Sequence, residues 1–135
     1  RYIALVAGVV TPESGAIDLP LICDWPNRPR QMVCPARGKP SLTRFRVLQR
    51  MPHEDCTVVE LEPVTGRSHQ LRVHLAALGH PILGDELYAG VAAERAPRLL
   101  LHASEIAFAH PQNDRRVHFH CPAPFFPLAA PALTL

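Results

Sequence analysis

Residues 2–10 read Tyr-Ile-Ala-Leu-Val-Ala-Gly-Val-Val with no charged position, the pattern of a buried strand. Thr11-Pro12-Glu13-Ser14-Gly15 is a turn signal, and residues 16–21 form a second short strand. Alternation then sets in: Phe45 and Val47 stand against Arg44, Arg46 and Gln49, which predicts an antiparallel strand with one basic face over residues 43–50. Residues 56–61 alternate too, with Val59 and Leu61 opposed by Glu60 and Glu62. The two strands are expected to form a hairpin through Pro52-His53-Glu54-Asp55, with basic and acidic side chains pairing across it.

The period changes after Thr65-Gly66. Leu71, Leu75 and Leu78 recur at helical spacing, Ser68 is the expected N-cap, Gly79 the C′ residue, and Pro81 blocks continuation. A polar, Ala-rich connector follows over residues 85–96. Strands at 99–108 and 117–121 are joined by a turn at His110-Pro111-Gln112-Asn113-Asp114. Residues 23–40 are proline-rich and basic without a clear period, and read as a long loop of the kind that is usually functional or disordered. Residues 122–135 form a loose tail rich in Pro and Ala. Strands predominate over one main helix, which gives the α+β class, with a largely antiparallel sheet and neither repeats nor an internal domain boundary.

Composition narrows the picture modestly. The 135 residues are 47% hydrophobic, enough for one packed domain or part of a larger one. No apolar run approaches the ~20 residues that span a bilayer, and no secretory signal is recognisable, so a cytoplasmic setting without membrane contact is expected. Cys23, Cys34, Cys56 and Cys121 form no close pair and read as reduced thiols. Net charge is only +2, yet basic residues far outnumber acidic ones between Arg28 and Arg50. That enrichment suits either a polyanion-facing surface or a solvated face.

Candidate chemistry gathers at the turn and helix. Arg67, His69, Gln70 and Arg72 lie within six residues, and His69 and Arg72 project from one helical face. A guanidinium held on a rigid helix suits a carboxylate or a phosphate. In the long loop, Trp25 with Arg28 and Arg30 could stack on a base and meet phosphates, or Trp25 could anchor the loop to the core. The histidines have no metal-site spacing and no paired cysteines beside them, so no metal is expected.

The run Thr65-Gly66-Arg67-Ser68-His69-Gln70-Leu71-Arg72-Val73-His74, continued by Gly79-His80-Pro81-Ile82-Leu83-Gly84-Asp85, closely resembles the signature of the RluA-type RNA pseudouridine synthases. Residues 2–8, Leu99-Leu100-Leu101-His102-Ala103 and His110-Pro111 extend the likeness. The resemblance implies a bent, mixed sheet crossed by an RNA-binding cleft. It makes residues 1–121 the C-terminal part of the catalytic domain. It also implies a cofactor-free isomerisation of uridine in RNA, with no protein partner required. Tyr2 matches the family's pocket tyrosine, Arg72 the arginine that pairs with the attacking aspartate, and Leu101 an apolar residue packing on the uracil. Without the family, Tyr2 reads first as a half-buried strand aromatic, an order that the family match reverses, and Leu101 reads nearly as well as a plain core leucine. The run over residues 18–29 points to a branch acting on the tRNA anticodon stem-loop and 23S ribosomal RNA.

One element of that pattern has no match. The family's attacking aspartate lies in a His-Arg-Leu-Asp motif upstream of the pocket tyrosine, and Asp18, Asp24, Asp55, Asp85 and Asp114 all fall outside such a motif. Asp85 reads as structural, a cap for the connector. The expectation is therefore a piece of an enzyme, inactive alone. The alternative is a non-catalytic RNA-binding module that keeps the cleft.

Overall fold

The structure, a computed structural model, describes residues 1–103 and the backbone of two later strands. In chain order the elements are β1 (Tyr2–Ala7), β2 (Ser14–Asp18), β3 (Leu21–Cys23), β4 (Gln31–Val33), β5 (Leu42–Met51), β6 (Cys56–Pro63), α1 (Gln70–Ala77), β7 (Leu101–Ala103), β8 (Glu105–Ala109) and β9 (Arg116–His120). The main sheet has five strands in the order β2-β5-β6-β1-β7, all paired antiparallel. This is an α+β fold with one main helix, as the sequence pattern implies.

The predicted hairpin is present as β5–β6, with Arg44 opposite Glu62 and Arg46 opposite Glu60. Arg46 Nη2 lies 3.2 Å from Glu60 Oε1. The alternation read for β6 is incomplete, however: the neighbours Val58 and Val59 face opposite sides of the sheet and are both fully buried. The cause is a sheet covered on both faces. One face packs α1 through Leu71 and Leu75 against Ala4, Val6, Val59 and Leu61. The other carries Leu83, Ala89 and Ala92 from the connector against Met51, Cys56 and Val58. Burying Leu75 alone contributes about 2 kcal/mol.

Several expectations need correction. The segment read as a loop contains a hairpin, β3–β4, whose tip is a short 3-10 turn at Trp25–Asn27. The strand expected at 99–108 is divided between β7, which joins the main sheet beside β1, and β8, which pairs with β9 in a separate ribbon. Ser68 does not cap α1. The N-cap is His69 in a left-handed conformation (φ 54°), and no side chain caps it. Leu78 leaves the apolar stripe and is exposed. Gly79 does end the helix: its N–H reaches Ala76 O and the His80 N–H reaches Leu75 O, a Schellman closure at φ +91°. The turn at residues 110–114 and the tail at 122–135 lie outside the described residues.

Candidate active site

The turn between β6 and α1 is built by one side chain. Gln70 is 3% exposed, and its Oε1 accepts from Thr65 Oγ1 (2.7 Å) and the Arg67 N–H (3.0 Å). Its Nε2 donates to Leu42 O (2.8 Å) and Thr43 Oγ1 (3.0 Å). Gln70 thus ties the turn to β5 and holds the start of α1 in place, although no side chain caps the helix. Behind it, Thr43 Oγ1 meets His74 Nδ1 at 2.8 Å, and His74 Nε2 meets Leu19 O at 2.9 Å. Burial lowers the His74 pKa, which keeps this interior imidazole neutral.

Against this turn lies an open hollow of about 250 Å³. Its walls are Tyr2 from β1, Leu101 from β7, the turn from Pro63 to Gln70, and Leu71 and Arg72 of α1. Tyr2 and Leu101 are diagonal neighbours on adjacent antiparallel strands, so they share one face of the sheet. Drug-sized ligands fill clefts of ~300 Å³ and more, so this hollow, a little smaller, has room for one flat ring.

Arg72 forms its charged side. The guanidinium donates from Nε to Asp85 Oδ2 (3.0 Å) and from Nη2 to Asp85 Oδ1 (2.7 Å), a side-on bidentate pair. The bonded Asp85 carboxylate raises the Arg72 pKa further above its ordinary value. The Arg72 Cζ lies 5.3 Å from the Tyr88 ring centre, and Arg30 approaches the same ring at 5.3 Å. The Tyr88 hydroxyl accepts the Gln31 N–H (2.9 Å) and bonds His69 Nδ1 (2.8 Å). Burial, with Arg72 adding to it, lowers the His69 pKa, and burial raises that of Tyr88, so both are neutral near pH 7.

Six of the residues singled out from sequence therefore line one hollow: Tyr2, Arg67, His69, Gln70, Arg72 and Leu101. Gln70 offers no spare hydrogen bond, because its amide is consumed by the turn. Arg67 holds Pro40 O through Nε (3.2 Å) and Nη2 (3.1 Å) and also borders a second cleft with Arg37 and Lys39. Trp25 and Arg28 stand apart at the tip of β3–β4. Trp25 is 65% exposed with the Arg28 guanidinium 4.1 Å from its ring centre, which sets aside the reading in which it anchors the loop to the core. Arg30 turns the other way, toward Tyr88. Tyr88 and Gln31 are not singled out by the sequence, because their bonds join segments with no shared periodicity. The Gly84-Asp85 turn just before Tyr88 is the nearest signal.

A family model described as RNA pseudouridylate synthase matches residues 1–77. The chain belongs to that family. Among curated relatives, the dual-specificity RNA pseudouridine synthase RluA of Pasteurella multocida is 54% identical over 126 residues, covering 93% of this chain and 57% of the relative. The protein of that name from Escherichia coli K12 is 52% identical over 126 residues, with 93% and 57% covered. Among solved structures, Human RNA Pseudouridylate Synthase Domain Containing 1 superposes with a TM-score of 0.79 at 33% identity, covering 94% of this chain and 55% of that one. The chain spans about half the length of the curated relatives it matches.

Proposed function

We propose that this chain is the C-terminal part of the catalytic domain of an RNA uridine-to-pseudouridine isomerase. The observation that carries the reading is the one hollow lined together by Tyr2, Leu101 and the cation of Arg72. In the reaction the C1′–N1 bond of a uridine breaks, the uracil turns, and a C1′–C5 bond forms while C5 gives up its hydrogen as a proton and N1 takes one up. Substrate and product are isomers, so no oxidant or group donor enters the balance. A base stacked in RNA must first be flipped out, and a hollow the size of one ring suits it. Tyr2 offers a ring face and a hydroxyl, Leu101 an apolar wall, and Arg72 a fixed cation that orients an attacking carboxylate. That carboxylate comes from a segment outside this chain, so the chain alone is silent. The test is tritium release from RNA carrying 5-tritiated uridine. The full-length protein releases it and the isolated chain does not. A silent full-length protein, fully folded and binding RNA, would leave the alternative of a pure RNA-binding module.

The RNA is held, on this reading, by the exposed tip of β3–β4 and the basic cleft beside Arg67, in the cytoplasm. The name dual-specificity borne by the relatives fits two RNA targets, and the likeness over residues 18–29 implies the tRNA anticodon stem-loop and 23S ribosomal RNA. Trp25 stacks on a base while Arg28 meets a phosphate, and Arg30 reaches a second phosphate by leaving the Tyr88 ring. Replacing both arginines by alanine is expected to weaken RNA binding and to lower the slope of log affinity against log salt by about one to two. An unchanged slope returns the hairpin to an ordinary solvated face.

A further inference from the structure

Asp85 is fully buried, yet its two oxygens do different work. Oδ1 accepts the N–H groups of Leu87 (3.0 Å) and Tyr88 (3.2 Å), which closes the turn after Gly84. That bonding accounts for the capping role expected of an aspartate at this place, and it needs only one oxygen. Oδ2 has a different partner, Arg72 Nε, while Oδ1 also receives Arg72 Nη2. The second oxygen and the negative charge are therefore directed at the arginine.

Burying a carboxylate is costly, and a buried ion pair is seldom more stable than an apolar pair of the same size. What the pair supplies is orientation. A free arginine on a helix surface samples many rotamers. Here the Nε/Nη2 edge is clamped by a carboxylate that is itself fixed to the backbone of its turn. One face of the guanidinium rests near the Tyr88 ring. The Arg72 side chain is 19% exposed and lines the hollow, and among the described residues no buried side-chain nitrogen or oxygen lacks a partner. The guanidinium has N–H groups beyond those that Asp85 occupies, and these remain for a second acceptor.

We propose that Asp85 is a positioning residue for the isomerisation: it grips one edge of the Arg72 guanidinium so that the remaining N–H groups meet the attacking carboxylate in a single orientation. Arg72 thereby bridges two carboxylates, one structural and one reactive. The inference rests on the function proposed above and adds to it a residue that touches neither substrate nor nucleophile.

The discriminating variant is Asp85→Asn in the full-length protein. Its Oδ1 can still accept from Leu87, Tyr88 and Arg72 Nη2, so the turn is kept. An NH₂ replaces Oδ2 opposite Nε–H, so the side-on clamp and its charge are lost. The expected result is a kcat lower by about tenfold to a hundredfold, the range that follows a small misplacement of a catalytic group. KM for RNA stays within about twofold; the melting temperature falls, because an NH₂ now faces Arg72 Nε–H and leaves that donor unpaired, so kcat is expressed per folded protein. Asp85→Ser, which keeps a short acceptor for the turn but has no second oxygen, should show the same split between kcat and KM if Asn does not fold. A normal kcat in a folded variant overturns the proposal. So does a loss of kcat that merely tracks a loss of folded protein. Arg72→Ala, measured beside them, separates the levels. If it is inactive while Asp85→Asn is normal, only the positioning role fails; if it turns over normally, the functional reading fails with it.

Discussion

Arg72→Ala in the full-length protein is expected to lose turnover by about a thousandfold, the upper range for removing one preorganised electrostatic group, while RNA affinity stays within a few-fold. The result needs a control, because the same change leaves Asp85 buried without its cation. Breaking a buried pair from one side costs about 3–5 kcal/mol. Part of any lost activity could then reflect lost folding. Combining Arg72→Ala with Asp85→Asn removes the stranded charge and is expected to restore most of the melting temperature. It should not restore tritium release. Recovery of turnover in the double variant would assign Arg72 to stability alone, and near-normal turnover in the single variant would remove it from the site.

The second large effect is predicted at Gly84, just before Asp85. Its φ is +79°, a region in which a side chain is strained, and an added Cβ would sit 1.8 Å from Arg98 O and 2.5 Å from Arg98 C. These are backbone atoms of the strand approach, held where Leu100 N–H bonds Leu83 O at 3.0 Å. They cannot yield as a side-chain tip would. Gly84→Ala is expected to cost more than about 3 kcal/mol, a large share of the 5–15 kcal/mol that holds an ordinary domain together. Gly66→Ala is the matched control, since nothing lies within 4 Å of a Cβ built there. Urea midpoints of the two variants should differ by more than the error of extrapolation. Equal midpoints would contradict the packing of residue 84 against residue 98.

The contrast between those glycines also marks what a sequence discloses. The β5–β6 hairpin is readable because Arg44, Arg46, Glu60 and Glu62 alternate with apolar partners over enough residues to establish a period. The strands β3 and β4 are three residues each, too short for a period of two to register, and the prolines and arginines between them resemble an open loop. The end of α1 is readable from Gly79 because a left-handed C′ residue is a local requirement. Its start is not, because the bonds that stabilise it come from Gln70 reaching back to Thr65 and across to Leu42, a tertiary solution that displaces the local rule for serine. At the site, Tyr2, Arg72 and Leu101 come from a motif match and prove to share one hollow. Tyr88 escapes, since its partners are 57 residues away at Gln31 and 19 away at His69. Asp85 is half readable: its turn is a local feature, and its grip on Arg72 is not.

The position of Tyr88 between Arg30 and Arg72 bears on how such an enzyme could be retargeted. The hairpin tip looks like an interchangeable part, exposed and joined to the body by short strands. Yet its base ends in a guanidinium and a backbone N–H that rest on the same phenol as the arginine of the hollow. A hairpin transplanted from another member of the family without that register would withdraw two supports of Tyr88, and with them the alignment of His69 and Arg72. Swaps confined to residues 24–28 leave the shared ring untouched, whereas swaps that include Arg30 and Gln31 disturb the hairpin and the hollow in one step.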